Sequence, residues 1–166
     1  SRAMARPSQI LAVTFTNKAA REMRDRLSAM VACDLRHLWM GTFHGTAHRI
    51  LRAHVQEANL PPTFQIIDTA DQLSLIRRIM KEAGIDPKLR DPKTVQWSIN
   101  SYKEQGLRAA AVAAREEDET RVTLYQTYEA RCQREGLVDF AELMLRCVEL
   151  LEGNQLVREH YNDRFK

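Results

Sequence analysis

The spacing of apolar residues changes within residues 10–27. Residues 10–15 form a short apolar run with β-branched members, which is typical of a strand buried on both faces. From Ala20 onward the apolar residues recur at helical spacing between charged ones, so we predict an amphipathic helix. Thr16 or Asn17 can cap this helix, because either side chain can accept a hydrogen bond from its first turn. We therefore expect a concave corner at the carboxyl end of a strand, where ligands bind in open α/β sheets.

A second junction of the same kind follows. Residues 37–40 form another short apolar run, and residues 41–45 lead from it into a helical pattern. Both junctions carry a Thr-Phe pair and a hydrogen-bonding residue after it, namely Thr14, Phe15 and Thr16 at the first and Thr42, Phe43 and His44 at the second. If the two strands are neighbours in one parallel sheet, both rings lie on one rim. Every base has an aromatic face and every phosphate a negative charge, so such a rim suits unpaired nucleic acid.

These residues also have purely structural interpretations. Phe15 and Phe43 could be core rings that end their strands, and the threonines could be helix caps. A cap can also present N–H groups to a phosphate, so the two roles are compatible. His44 and His48 are four residues apart and could bind zinc, but the sequence offers no third ligand near them, so we favour an interpretation without metal.

Beyond the prolines at positions 61 and 62 the pattern is almost entirely helical, after a brief extended segment at residues 64–67. Helical spacing and end signals predict a series of helices. The first follows a capping box at Thr69 and Gln72, and two more span residues 94–103 and 109–114. A longer helix ends at Gly136, another has an apolar band over residues 143–151, and the last spans 155–164. Asp139 and Glu142 have the spacing of a second capping box. Capping accounts for this acid pair, so we assign it no catalytic role.

The predicted fold is therefore mainly α. A helical bundle with short connections is attached to an incomplete α/β piece that contributes about two short strands. Two strands are too few for a stable sheet, so we expect them to be irregular, poorly ordered or paired with another copy of the chain.

Composition changes this picture little. Apolar residues make up 44% of the chain and charged residues 28%, and the net charge of +3 permits a polyanionic partner without requiring one. Cys33, Cys132 and Cys147 are odd in number and show no paired spacing, which favours reduced thiols. There is no long apolar run and no signal peptide pattern. We expect a cytoplasmic protein without a membrane partner.

Five segments in this order resemble the superfamily 1 DNA helicases of the UvrD/Rep/PcrA group. They are LAVTFTNKAA (11–20), GTFHGTAHRILR (41–52), FQIIDTADQL (64–73), INSYKEQGL (99–107) and GLVDFAEL (136–143). The first is similar to motif Ia and the second to the single-strand-binding motif that follows it. The resemblance extends over nearly the whole chain, from about residue 8 to residue 166.

The resemblance implies a division into three parts. Residues 1–60 would be part of the RecA-like motor domain 1A, residues 61–153 the helical subdomain 1B, and residues 154–166 the return to domain 1A. It also implies single-stranded DNA contacts at Thr14, Phe15, Thr16, Asn17, Thr42, Phe43, His44, Arg49 and Lys103. Arg49 could equally be a solubilising surface residue. For Trp97 and Tyr102, base stacking is possible, but packing in the bundle core is the commoner use of such rings.

The implied activity is ATP-dependent translocation and unwinding of DNA with 3′ to 5′ polarity, in repair or replication. No phosphate-binding glycine loop and no magnesium-binding Asp-Glu pair occur in the chain. In the family they lie just outside the matching region, so we expect an excised piece that does not hydrolyse ATP alone. The whole protein would use ATP and Mg²⁺.

The implied partners are single-stranded DNA, the junction with duplex, and the rest of domain 1A with domains 2A and 2B. Self-association of the piece is also expected. Two alternatives stay open: a non-motor DNA-binding or protein-interaction module, and the helicase part of an AddA/RecB-type helicase-nuclease.

Overall fold

The structure is a computed structural model that describes residues 5–31 and 35–165. Its elements separate into two compact units, which comprise residues 1–58 with 146–166 and residues 59–145. The division of the chain into domains 1A and 1B after residues 60 and 153 stays a prediction. Cys33 lies outside the described residues.

The first unit contains a parallel pair of strands with helices after each. Its elements are a short 3-10 turn (Pro7–Gln9), β1 (Leu11–Thr14), α1 (Asn17–Met30), β2 (Trp39–Thr42), α2 (Phe43–Ala53) and α8 (Gln155–Arg164). The two strands pair in regular register from Leu11 opposite Trp39 to Thr14 opposite Thr42. The expectation of irregular strands is therefore wrong for this segment, because both strands have a full partner in each other.

Helix α2 buries Ala47, Ile50 and Leu51, which recur at helical spacing on one face. Trp39 lies at the start of β2 and is buried among aromatic rings, with Tyr161 and Phe165 at centroid distances of 5.7 and 5.4 Å. These contacts hold the end of the chain against the strand pair.

The second unit is a helical bundle with one very short parallel strand pair. It contains β3 (Gln65–Ile66), α3 (Thr69–Glu82), α4 (Pro92–Glu104), α5 (Ala109–Val112), α6 (Glu119–Glu135) and β4 (Leu137–Val138), and α7 (Phe140–Gly153) begins in it. Its core joins apolar faces of α3, α4, α5 and α6, with Ile76, Ile99 and Tyr125 almost fully buried. The predicted mainly helical architecture is confirmed.

One predicted cap is wrong. The N-cap of α3 is Asp68, whose carboxylate accepts a hydrogen bond from the Asp71 N–H at 2.8 Å, and not Thr69. Gln72 is instead buried, where its side-chain amide donates to Asn100 Oδ1 at 2.8 Å and its carbonyl accepts from Gln96 at 3.0 Å. The polar Gln72 therefore belongs to the core of the bundle.

Candidate nucleic-acid interface

The strand register brings the two phenylalanines together. Thr14 ends β1 directly opposite Thr42, the last residue of β2, so the next residues leave the sheet side by side. The rings of Phe15 and Phe43 lie 5.2 Å apart between centroids, tilted by 46°. Phe15 is 88% exposed and Phe43 is 38% exposed. Phe15 is too exposed to contribute to a hydrophobic core, because an aromatic ring stabilises the fold mainly when it is buried.

Each strand end leads directly into a capped helix. The Thr16 hydroxyl accepts from the Ala19 N–H at 3.1 Å at the start of α1, and the Thr42 hydroxyl accepts from the Gly45 N–H at 3.1 Å at the start of α2. Neither helix has an acidic residue in its first turn. The positive ends of two helix dipoles thus lie beside the two rings. Because the first turn of neither helix contains a carboxylate, this positive potential favours the binding of an anion.

Thr14 has a different position from the other predicted contacts. Its side chain is buried, and its hydroxyl lies 3.0 Å from the Thr16 carbonyl and 3.4 Å from the Gly41 carbonyl. It therefore ties the two strand ends together and positions the corner. Asn17 and His44, by contrast, are exposed in the first turns of α1 and α2.

The structure places Arg49 away from the ring pair. Its guanidinium lies 3.9 Å from the centre of the Trp39 ring, at the end of β2 opposite to Phe43. Arg164 lies 4.9 Å from the same ring. The geometry makes Arg49 a partner of a buried tryptophan, with cation–π attraction as the physical cause.

His48 is hydrogen-bonded to a neighbouring arginine. The Arg52 Nε donates to His48 Nε2 at 3.0 Å, and burial together with the Arg52 charge lowers the pKa of His48. Among residues 5–31 and 35–165, no group of three His, Cys, Asp or Glu side chains is arranged to hold a metal ion.

Lys103 requires a correction. It is only 3% exposed, in the second unit, and its Nζ lies 2.6 Å from Asp139 Oδ2 and 3.0 Å from Glu142 Oε2. Burial alone would lower the pKa of Lys103, but the two carboxylates outweigh it and raise that pKa above its ordinary value. A cation that is enclosed and neutralised in this way is not available to a DNA phosphate.

Sequence reasoning missed the ionic cluster that surrounds Lys103. Asp139 caps α7 as predicted, since its Oδ1 accepts from the Glu142 N–H at 2.7 Å, but its Oδ2 also accepts from the Tyr128 hydroxyl at 2.7 Å. Arg108 Nη1 lies 2.9 Å from Glu142 and 3.2 Å from Glu129. One feature of the sequence could have pointed to the cluster: Lys103 lies in the family-like segment 99–107, and Asp139 and Glu142 lie in the family-like segment 136–143.

The two remaining aromatic candidates differ from each other. Trp97 is 71% exposed on α4, so it is not the core ring that the sequence favoured. Tyr102 is half-buried and stacks on Tyr125 with 5.8 Å between ring centroids, and its hydroxyl bonds Glu116. Tyr102 is therefore a packing residue, whereas Trp97 is a surface residue.

None of the helices in the described part of the chain is both long and apolar enough to cross a bilayer.

Comparisons with known proteins agree on one family. Residues 1–166 match the UvrD/REP helicase N-terminal domain. The chain is 47% identical over 161 residues to DNA helicase II of Escherichia coli K12 and 45% identical over 163 residues to DNA helicase II of Haemophilus influenzae. It is 35% identical over 163 residues to the ATP-dependent DNA helicase PcrA of Bacillus subtilis. These alignments cover 96%, 95% and 96% of the chain but only 22% of each relative.

Proposed function

Because the chain belongs to the UvrD/REP helicase N-terminal domain family, we propose that it is the part of an ATP-dependent DNA helicase that holds single-stranded DNA at the Phe15 and Phe43 corner. The observation that carries the proposal is the exposed ring pair, 5.2 Å between centroids, next to two helix N-termini. Bases stack on the rings, while the N–H groups of the first helical turns receive a phosphate.

The proposed contact residues are divided by role. Phe15 and Phe43 stack on bases, and Thr16, Asn17, Thr42 and His44 surround the phosphate path. Thr14 positions the corner from within. Arg49 and Lys103 are not part of the proposed contact, because one lies against Trp39 and the other is enclosed by carboxylates.

The names of the relatives, DNA helicase II and ATP-dependent DNA helicase PcrA, support a wider proposal. We propose that the whole protein hydrolyses ATP with Mg²⁺, moves 3′ to 5′ along one strand and separates duplex DNA in the cytoplasm, in repair or replication. The first unit belongs to motor domain 1A and the second is the helical subdomain 1B beside the duplex junction. The rest of domain 1A together with domains 2A and 2B would complete the helicase, and the segment alone would be inactive.

The test of the DNA contact uses the full-length protein and a labelled poly-dT strand, with affinity measured by fluorescence anisotropy. Replacing one stacking ring removes about 1–3 kcal/mol, so Phe15→Ala should weaken binding about tenfold, and Phe43→Ala should do the same. Trp97→Ala is the matched control, since it removes another exposed ring far along the chain. Unchanged affinity in both phenylalanine variants would contradict the stacking role.

A second experiment separates the motor from a DNA-binding module without one. The full-length protein should hydrolyse ATP faster when poly-dT is present, and Phe15→Ala should raise the poly-dT concentration needed for half-maximal stimulation. Absence of any DNA-stimulated hydrolysis in the unmodified protein would favour the non-motor alternative.

A further inference from the structure

The second unit carries an apolar groove that the proposed DNA contact does not use. It lies where α3 ends and α4 begins, and its volume is about 510 Å³. Met80 and Pro92 are buried in its wall, and Ile85 and Pro87 continue the lining into the connecting loop. This volume falls within the usual range of pockets that receive a ligand or an anchoring side chain.

Two cations lie at the rim of the groove. Arg77 and Lys81 are one helical turn apart on α3, line the groove and are exposed. Within residues 5–31 and 35–165, neither side chain has an ion pair or a hydrogen bond. Other cations of the same unit do have such partners, for example Arg90 with Asp118 and Arg131 with Glu82. The positive charge at this rim is therefore available to a ligand from outside.

The groove lining also carries one anion, in the loop that follows α3. Asp86 is exposed, and its Oδ1 accepts from the Lys88 N–H at 2.8 Å, which fixes the carboxylate in the loop. A continuous phosphate backbone passing over the groove would meet this negative charge. A ligand whose carboxylates lie only beside Arg77 and Lys81 avoids this repulsion, because its negative charge then meets the two cations and not Asp86.

The loop between α3 and α4, which lines part of the groove, adds an exposed apolar residue. Leu89 follows Pro87 by two residues and is 88% exposed. The groove lining itself contains no aromatic ring on which a base could stack. Apolar walls with a polar rim are typical of protein interfaces, where a few anchoring side chains provide most of the binding energy.

We propose that this groove docks a segment of a partner protein in which an apolar side chain has acidic residues on one side of it. The apolar side chain enters between Met80, Ile85 and Pro92, and the acidic residues pair with Arg77 and Lys81. The inference does not depend on the proposed DNA contact, since it uses no residue of the Phe15 and Phe43 corner.

The test uses the full-length protein and a displayed library of random dodecapeptides as the probe. Enriched peptides should carry Asp or Glu beside Leu, Met or Phe. Their affinity, measured by anisotropy, should fall about tenfold in Arg77→Glu and in Lys81→Glu, which corresponds to the loss of one good charge contact. Leu89→Ser should weaken the same peptides without changing the charge.

Arg78→Glu is the matched control, because Arg78 is exposed on the same helix but does not line the groove. Peptide binding should be unchanged in it, and all four variants should keep the unfolding midpoint of the parent. Failure to enrich any peptide that depends on Arg77 or Lys81 overturns the proposal. If these two variants instead weaken binding of a tailed DNA duplex, the groove is a nucleic-acid contact and the protein partner is wrong.

Discussion

Lys103 shows how a single residue can have opposite meanings in sequence and structure. A lysine in a helix between polar neighbours predicts a surface charge, yet Lys103 is enclosed with Asp139 and Glu142 at 2.6 and 3.0 Å. The carboxylates are 36 and more residues away along the chain, so no local pattern announces the pairing. The proximity of Phe15 and Phe43 was easier to predict, because each residue directly follows a strand and the parallel register places the two strand ends side by side.

Removing the Lys103 charge should be costly. Lys103→Met leaves Asp139 and Glu142 buried without their ammonium partner, and breaking a buried pair in this way costs about 3–5 kcal/mol. Urea unfolding of the chain should show this loss in the free energy of unfolding. Lys93→Met is the control, since Lys93 is exposed on the same helix, and it should change the value by less than about 0.5 kcal/mol. Equal stability of the two variants would contradict the structural role of Lys103.

The pH dependence of this contribution has a defined direction. The pKa of Lys103 is raised in the folded chain, because the carboxylates outweigh the effect of burial. Its stabilisation is therefore fully present below the ordinary lysine pKa of about 10.4 and is lost as the pH rises through the folded pKa. The difference in unfolding free energy between the parent and Lys103→Met should be the same at pH 7 and pH 9. A difference that grows within this interval would contradict the prediction, because a folded pKa lowered into it would leave the folded chain with fewer bound protons than the unfolded chain.

At the scale of elements, sequence patterns predicted helices and caps best where neighbouring residues alone determine the local structure. The final helix spans Gln155–Arg164 as predicted, and Thr16 and Thr42 cap their helices as hydrogen-bonding residues at strand exits should. The extended segment at residues 64–67 was predicted and contains β3, but β4 and its pairing with β3 were missed. A two-residue strand has no alternation to detect, and the pairing joins distant parts of the chain. The sequence also did not reveal that Asp68 would outcompete Thr69 as a cap.

Gly136 links two of these elements. It ends α6 with φ of +66°, and a Cβ at this position would lie 2.8 Å from Cγ of Pro61. Gly136→Ala should therefore lower the free energy of unfolding by at least about 1–2 kcal/mol, the cost of a left-handed conformation, with the Pro61 overlap in addition. Gly153→Ala is the matched control, because it lies at the end of α7 with open space around its Cβ position, and it should cause no loss. Urea denaturation of both variants measures the contrast, and equal values would mean that the turn relaxes freely.

At the scale of the molecule, the two units differ in how complete a hydrophobic core each has of its own. The second unit has a continuous apolar core across four helices, with the Lys103 cluster beside it. In the described part of the first unit two strands pair, and Ile10 and Leu11 remain exposed. Parallel sheets are normally covered on both faces and contain more strands. The mainly helical character was predictable from spacing, but the unit boundary inside α7 was not, since the helix continues through it.

This difference predicts that residues 59–145 fold alone. The segment keeps the α3 to α6 core and the carboxylates around Lys103, so its far-UV circular dichroism should be helical and its urea unfolding cooperative. Within it, Ile99→Ala removes a side chain that is almost fully buried and should cost about 2–5 kcal/mol, whereas Leu89→Ala removes an exposed one and should cost little. A gradual, non-cooperative loss of helix in the isolated segment would contradict the prediction, because it would show that the core depends on chain outside residues 59–145.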